Sequence, residues 1–429
     1  MSELRNRAVV GCFLLLCACW FIPRLVGAQR DAWVATWTAS PQAPAPDSGE
    51  PLLKIENQTV RERVRISIGG PRIRLRLSNE YGSAPLLVGS VTVAVPNDAA
   101  NVKTGSIQSV TFAGHNSVTI PAAAAIVSDP VAFPVASGAE ISISLYFPKR
   151  VATPTIHALA LKRAVISQRG DHTHEEKIEN GAESDSSISE SSIMVSAVLV
   201  PAGPSQRVLV AFGDSVTDGD GSTVDADRNW PDDLIRRQEK TTKAANVAVV
   251  NEGIAGNRLL SDGSDLSAGF GIGGLKRFER DVLDLPGVTQ VVVLEGVNDI
   301  GFPGAKLGES YLADPSDAHT PEDLIAGYRQ LIARAHARGI KVIGATISPF
   351  EGFVIPGYYS ESKEATRQAV NRWIRTSRAF DAVIDFDAVL RDPDHPSRVL
   401  PRFASADHLH LNDDGYQAMA DAIDLALFK

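Results

Sequence analysis

A chain of 429 residues has room for two or three domains with cores of their own, which excludes a minimal binding module or a disulfide-stapled mini-protein. With 44% apolar and 22% charged residues it has the composition of a globular protein, not of a disordered one. A formal net charge of −9, with no Lys/Arg-rich run, leaves no electrostatic footprint for nucleic acid.

The three cysteines, Cys12, Cys17 and Cys19, all fall near the N-terminus. Arg5 and Arg7 open that stretch, an apolar run follows from Ala8 to about Pro23, and Val26-Gly27-Ala28 supplies small residues before a cut. This predicts a secretory signal peptide over residues 1–28 and a secreted or periplasmic product beginning near Gln29. The apolar run is shorter than the ~20 residues of a comfortable bilayer span, so a permanent anchor is the weaker reading. Lipid attachment at Leu16-Cys17-Ala18-Cys19 is a further variant. Cleavage after Ala28 leaves an exported chain without cysteine, whose stability rests on the size of its core.

From Trp33 to about Val200 the apolar residues recur at the period of strands. Val64-Arg65-Ile66-Ser67-Ile68 alternates apolar with polar, Gly69-Gly70-Pro71 interrupts, and Ile73-Arg74-Leu75-Arg76-Leu77 alternates again. That predicts a hairpin with one buried face. Val91-Thr92-Val93, Ser117-Val118-Thr119-Ile120 and Ile141-Ser142-Ile143-Ser144-Leu145-Tyr146 continue the pattern. Many short strands without a long amphipathic helix point to an all-β sandwich or jelly roll over residues 29–200. Gln168 to Ser192 is polar and reads as a flexible loop. His172-Thr173-His174 within it lacks neighbouring Cys or a fixed scaffold and reads as surface, not as a metal site.

After Pro201-Ala202-Gly203-Pro204 the grammar changes. Val208–Phe212, Val247–Val250, Val291–Leu294, Val342–Ile347 and Ala382–Phe386 hold short apolar runs, suited to parallel strands buried on both faces. Helical stretches lie between them. The clearest begins at Thr320-Pro321-Glu322-Asp323, with Thr as N-cap, Pro in the first turn and acids against the dipole. Leu324, Tyr328, Leu331, Ile332 and Ala335 line one face, and Gly339 ends it. Alternating strands and helices mean a layered α/β domain over residues 205–429.

The chemistry collects at the predicted strand ends. The first strand runs into Gly213-Asp214-Ser215-Val216-Thr217-Asp218-Gly219, where a Ser sits at the rim that open α/β sheets use for ligands. A serine hydroxyl is a poor nucleophile until a base takes its proton. Asn251-Glu252-Gly253-Ile254-Ala255-Gly256-Asn257-Arg258 follows the second strand and offers backbone N–H groups. Gly296-Val297-Asn298-Asp299 follows the third and offers a side-chain amide. Asp407-His408-Leu409-His410 lies near the C-terminus, and an Asp three residues before a His can orient its imidazole.

These four blocks together resemble the SGNH hydrolases, the GDSL-type esterase and lipase superfamily. Trp230-Pro231-Asp232, Asn257-Arg258-Leu259-Leu260, Glu295 to Gly301 and Phe386-Asp387 extend the likeness. Trp33 to Gln42 resembles the start of secreted members with an N-terminal β-domain. The resemblance implies a flavodoxin-like, three-layer α/β/α hydrolase domain behind the β-domain. It also implies Ser215 as nucleophile, His410 as general base then acid, and Asp407 as its orienter. The backbone N–H groups of Ser215 and Gly256 and the Asn298 side chain would form the oxyanion hole. Members often carry Pro after the histidine; Leu411 stands there and is expected to loosen the loop slightly.

His408 is the rival base and is read as a bystander. Glu295 and Asp299 are expected to hold the loop around Asn298, and Asp214 and Asp218 to brace the nucleophile turn. Phe350, Phe353, Tyr358 and Tyr359 form a candidate aromatic wall for an acyl chain or sugar. The expectation is a secreted serine esterase of short-chain carboxylic esters, taking a small-molecule or polysaccharide substrate such as an acetylated carbohydrate. It needs no cofactor or metal, and has no nucleic-acid partner or integral membrane association. The alternatives are a lipase, lysophospholipase or thioesterase of longer chains, and a non-catalytic carbohydrate-binding protein. Gly301 to His319 reads as a polar loop unable to serve as an amphipathic lid.

Overall fold

The computed structural model describes residues 32–44, 55–181, 188–241, 246–263 and 269–428. The signal-peptide reading of residues 1–28, with all three cysteines, lies outside them. Among the described residues no helix is long and apolar enough to cross a membrane.

The N-terminal half builds two main antiparallel sheets. One has the order Trp33–Thr38, Val195–Pro201, Arg74–Asn79, Ala124–Val127. The other is centred on Gln58–Arg65, flanked by Glu140–Phe147 and Ala164–Arg169, with Ser90–Ala94 beyond Glu140–Phe147. The two runs expected to form one hairpin therefore belong to different sheets. Gly69-Gly70-Pro71 carries the chain across: Gly70 bridges to Val135 and Ile73 to Val131, not back onto Val64–Ile68. The alternation itself holds, since Val60, Val64, Leu75 and Leu77 all enter one core.

The polar segment after Gln168 is also more ordered than its composition suggests. Thr173 and Ile178 are buried, and the Glu175 and Glu176 carbonyls accept from the guanidinium of the buried Arg61. A stretch with little apolar content is held because it satisfies a buried cation on the outer face of the sheet. His172 pairs through Nδ1 with Glu175 at 2.9 Å.

The C-terminal half is a five-stranded, all-parallel sheet ordered Val247–Gly253, Arg207–Gly213, Val288–Leu294, Lys341–Ala345, Ala382–Ile384. In chain order this is 2-1-3-4-5, the flavodoxin-like doubly wound arrangement. Phe386 lies beyond the last strand, on the helix Phe386–Leu390 capped by Asp385. Along Arg207–Gly213 successive side chains take opposite faces. Val208, Val210 and Phe212 join the core shared with the antiparallel sheets. Leu209 and Ala211 pack with Trp230, Leu234, Tyr416 and Met419, from the helices Trp230–Glu239 and Asp413–Ala422. The helix Pro321–Ala337 has Thr320 as its expected N-cap, extended by Asp323 into a reciprocal capping box, and buries its apolar stripe.

Residues Ala32–Lys429 form one compact unit. Thr38 Oγ1 donates to the Asn251 carbonyl at 3.0 Å, and Ser67 Oγ accepts from Val249 N–H at 2.8 Å. The antiparallel sheets thereby cover the edge strand Val247–Gly253 and satisfy polar groups that an open edge would leave bare.

Candidate active site

Strands one and three leave the sheet on either side of the point where strand order reverses, the place where such sheets bind ligands. Ser215 opens the short helix Ser215–Asp218 directly after the first strand. Asp214 caps that turn by accepting from Val216 N–H at 3.0 Å, and Gly219 closes it in the left-handed conformation. The turn that carries Ser215 is therefore fixed at both ends.

Ser215 Oγ lies 2.8 Å from His410 Nε2, and His410 Nδ1 lies 2.5 Å from Asp407 Oδ2. The other Asp407 oxygen accepts from Ser405 Oγ at 2.8 Å and from the N–H groups of Leu409 and His410 at 2.9 Å. Partial burial works against the Asp407 charge, but the hydrogen bond and charge of His410, with the Leu409 and Ser405 donors, hold its carboxyl well below the usual range. Burial likewise opposes charge on His410. The hydrogen bond to Asp407 and the charges of Asp220, Asp407 and Asp214 outweigh it and raise the imidazole above its ordinary value. Asp220 Oδ2 stands 3.5 Å from Nε2. His408 is exposed, with φ 66°. Leu411 does not loosen this loop: it is fully buried and bridges to Ala404.

Gly256 has φ 76°, and a Cβ there would fall 2.3 Å from the Phe270 ring, so both backbone and space require glycine. Its N–H finds no acceptor among the described residues, whereas Ile254 N–H donates to the Gly213 carbonyl and Ala255 N–H to Asp218 Oδ2. Asn298 is buried; its Nδ2 donates to the Asn257 carbonyl at 2.9 Å and its Oδ1 accepts from Tyr358 OH at 2.8 Å. Asp299 accepts from Leu259 and Leu260 N–H at 2.7 and 2.9 Å. Loops two and three are thus stitched together, as expected of Asp299.

Glu295 answers a group that sequence reasoning missed. Arg277, fully buried, reaches Glu295 Oε1 at 3.0 Å, the Gly213 and Glu252 carbonyls at 2.8 Å, and Asn257 Oδ1 at 2.9 Å. One guanidinium thereby ties the ends of all three strands that present the site. No motif signals it, because it sits in an unremarkable helical turn, Gly274–Phe278.

The aromatic wall is redrawn. Phe350 and Tyr358 are fully buried and belong to the core. Phe353 stays half-exposed, edge-on to the His410 ring at 5.9 Å. From it an aromatic arc runs through Tyr358 (4.6 Å) and Phe302 (5.9 Å) to Phe270 (5.4 Å), which reaches the Gly256 loop. The segment after Asn298 is also not a plain polar loop. It forms the hairpin Lys306–Leu307 with Ser310–Tyr311, buries Leu312 and Ala313, and exposes Leu307 and Tyr311.

Residues 211–418 match the GDSL-like lipase/acylhydrolase family. Over those residues the chain belongs to that family, the SGNH hydrolases, and the protein is a hydrolase of the acylhydrolase and esterase kind. Similar solved structures include a lipase/acylhydrolase from Enterococcus faecalis (22% identity, 51% of this chain and 93% of that one, TM-score 0.37). A GDSL-like lipase from Bacteroides thetaiotaomicron (17%, 52% and 87%, 0.36) and an aryl esterase from M. smegmatis (15%, 50% and 95%, 0.39) are others. No curated protein matches the chain.

Proposed function

We propose that the protein is an exported serine esterase that cleaves short-chain carboxylic esters through an acyl-enzyme on Ser215. The observation that carries this reading is the unbroken hydrogen-bonded chain Ser215–His410–Asp407. Neutral His410 takes the Ser215 proton at Nε2 while its Nδ1–H keeps donating to the Asp407 carboxylate, and Oγ attacks the ester carbonyl. The tetrahedral oxygen receives the N–H groups of Ser215 and Gly256 and the second hydrogen of Asn298 Nδ2. Donors set in place before the reaction are usually the largest catalytic term, with one donor worth about 100–1000-fold. His410 returns the proton to the departing alcohol, and a water, deprotonated by the same nitrogen, releases the acid.

Short acyl groups, such as acetyl esters on carbohydrate, suit the half-exposed walls Phe353 and Phe270. The longer-chain reading draws on a different observation, the exposed Leu307, Tyr311 and Val354 on neighbouring loops. Turnover of p-nitrophenyl esters from acetyl to decanoyl, by wild type and Ser215→Ala, tests both. Loss of all turnover in Ser215→Ala with a peak at acetyl to butyryl is expected; a Ser215→Ala enzyme that still turns over refutes the mechanism.

A further inference from the structure

We propose that His157, carried by the antiparallel half of the molecule, is a positioning residue for the oxyanion loop, so that these sheets are a working part of the active site. The inference rests on Ser215 and Gly256 acting as proposed above. His157 lies on the short strand Ile156–His157 and is buried. Its Nδ1 is 3.2 Å from the Ser40 carbonyl and its Nε2 is 3.0 Å from Asp218 Oδ1. Two acceptors facing two ring nitrogens call for the doubly protonated ring. Burial opposes that charge, but Asp218 outweighs it and the imidazole is raised above its ordinary value.

Asp218 links the two halves of the chemistry. It ends the turn that Ser215 begins, and its second oxygen accepts from Ala255 N–H at 2.9 Å. Ala255 immediately precedes Gly256, so the same carboxylate that meets His157 fixes the peptide leading to the proposed oxyanion donor. Asn251 strengthens the clasp by donating from Nδ2 to the Thr217 carbonyl at 2.9 Å, and its own carbonyl is held by Thr38. Contacts elsewhere, such as Ser67 with Val249 and Ala35 with Pro286, join the sheets without touching this loop. Adhesion alone therefore does not account for a buried imidazole aimed at Asp218. Without it the carboxylate is a buried charge lacking its cation, and it must take up a proton or turn away. Either response releases the order imposed on Ala255–Gly256.

The test uses the full chain with His157→Leu, His157→Gln and Asp218→Asn. Active sites are counted with an organophosphonate that labels Ser215, and kcat, KM, boronic-acid affinity and melting temperature are measured. His157→Leu is expected to lose about 10- to 100-fold in kcat per labelled site, part of what one oxyanion donor is worth. KM should stay within about threefold, and boronic-acid affinity should fall with kcat, because only the tetrahedral state uses the donor. His157→Gln, whose amide still donates to Asp218, should recover most of the loss. Should His157→Leu not fold, Asp218→Asn keeps the size of the side chain but cannot accept from both donors, and it should show the same split. An unchanged kcat per labelled site in either folded variant, even with a lowered melting temperature, would overturn the proposal. A wild-type enzyme that the phosphonate fails to label would instead overturn the hydrolase mechanism itself.

Discussion

Tyr358→Phe removes a single oxygen, 2.8 Å from Asn298 Oδ1, and leaves the ring among Phe302, Phe350 and Phe353. That oxygen fixes which way the amide faces. The Asn257 carbonyl demands a donor and the Tyr358 hydroxyl supplies one, so Nδ2 is pinned to the first and Oδ1 to the second. Burial holds the phenol well above its ordinary range, so it stays a donor at every working pH. Its loss leaves Oδ1 buried without a partner, at a cost of about 1–3 kcal/mol, and lets the amide rotate. The catalytic effect is capped by complete loss of the Asn298 donor, about 2.7–4 kcal/mol. A roughly tenfold fall in kcat, or ~1.4 kcal/mol, with KM little changed is therefore expected. The assay is steady-state hydrolysis of p-nitrophenyl acetate by wild type, Tyr358→Phe, Asn298→Ala and the double variant. In the Asn298→Ala background the tyrosine change should cost almost nothing further. Equal losses in both backgrounds would show that the hydroxyl acts elsewhere and refute the reasoning.

His410→Ala should lose at least about a thousandfold in kcat while His408→Ala keeps most activity; the reverse pattern in the same assay would move the base to His408. Activity needs neutral His410, so kcat/KM should rise with pH through a midpoint above the ordinary histidine value of about 6.5. Asp407→Asn should lower that midpoint along with the rate, and a wild-type midpoint below about pH 6 would contradict the geometry. Phe353→Ala should extend the acyl profile beyond butyryl, and a wild-type profile still climbing at octanoyl would favour the longer-chain reading. Burial pushes the Glu62 carboxyl up to about 8, so between the unfolded value near 4.3 and that point the folded chain holds a proton the unfolded chain releases. Its stabilisation is full at low pH and is lost as pH rises towards about 8. Glu62→Gln keeps an acceptor for Ile193 N–H and should raise the melting temperature at about pH 9 but hardly at about pH 5; a gain confined to pH 5 would reverse the sign.

The candidate site was legible where chemistry and local pattern coincide. A serine after a buried strand, an amide after another and Asp407 three before His410 were visible because short-range spacing records them. The helix stripe from Leu324 to Ala335 was visible for the same reason. Pairing across sheets was not. Alternation at Val64–Ile68 and Ile73–Leu77 fixes which side chains turn inward, but two sheets that share one core offer a strand the same inward face. Composition also misled between Gln168 and Gly181, because a polar segment can be ordered by what it solvates. Arg277, His157 and the hydroxyl of Tyr358 left no trace, since each acts through partners distant in sequence that only the fold assembles.

Val34, Leu75 and Val198 share one core with Val208, Val210 and Phe212. The abrupt change of pattern at Pro201-Ala202-Gly203-Pro204 is therefore no seam along which the molecule can be cut. A gene fragment beginning there would encode a parallel sheet whose covered edge and apolar flank face water, an invitation to aggregate. At Gly287, where a Cβ would fall 2.4 Å from Val34, even a single-residue exchange in one half depends on what the other half presents.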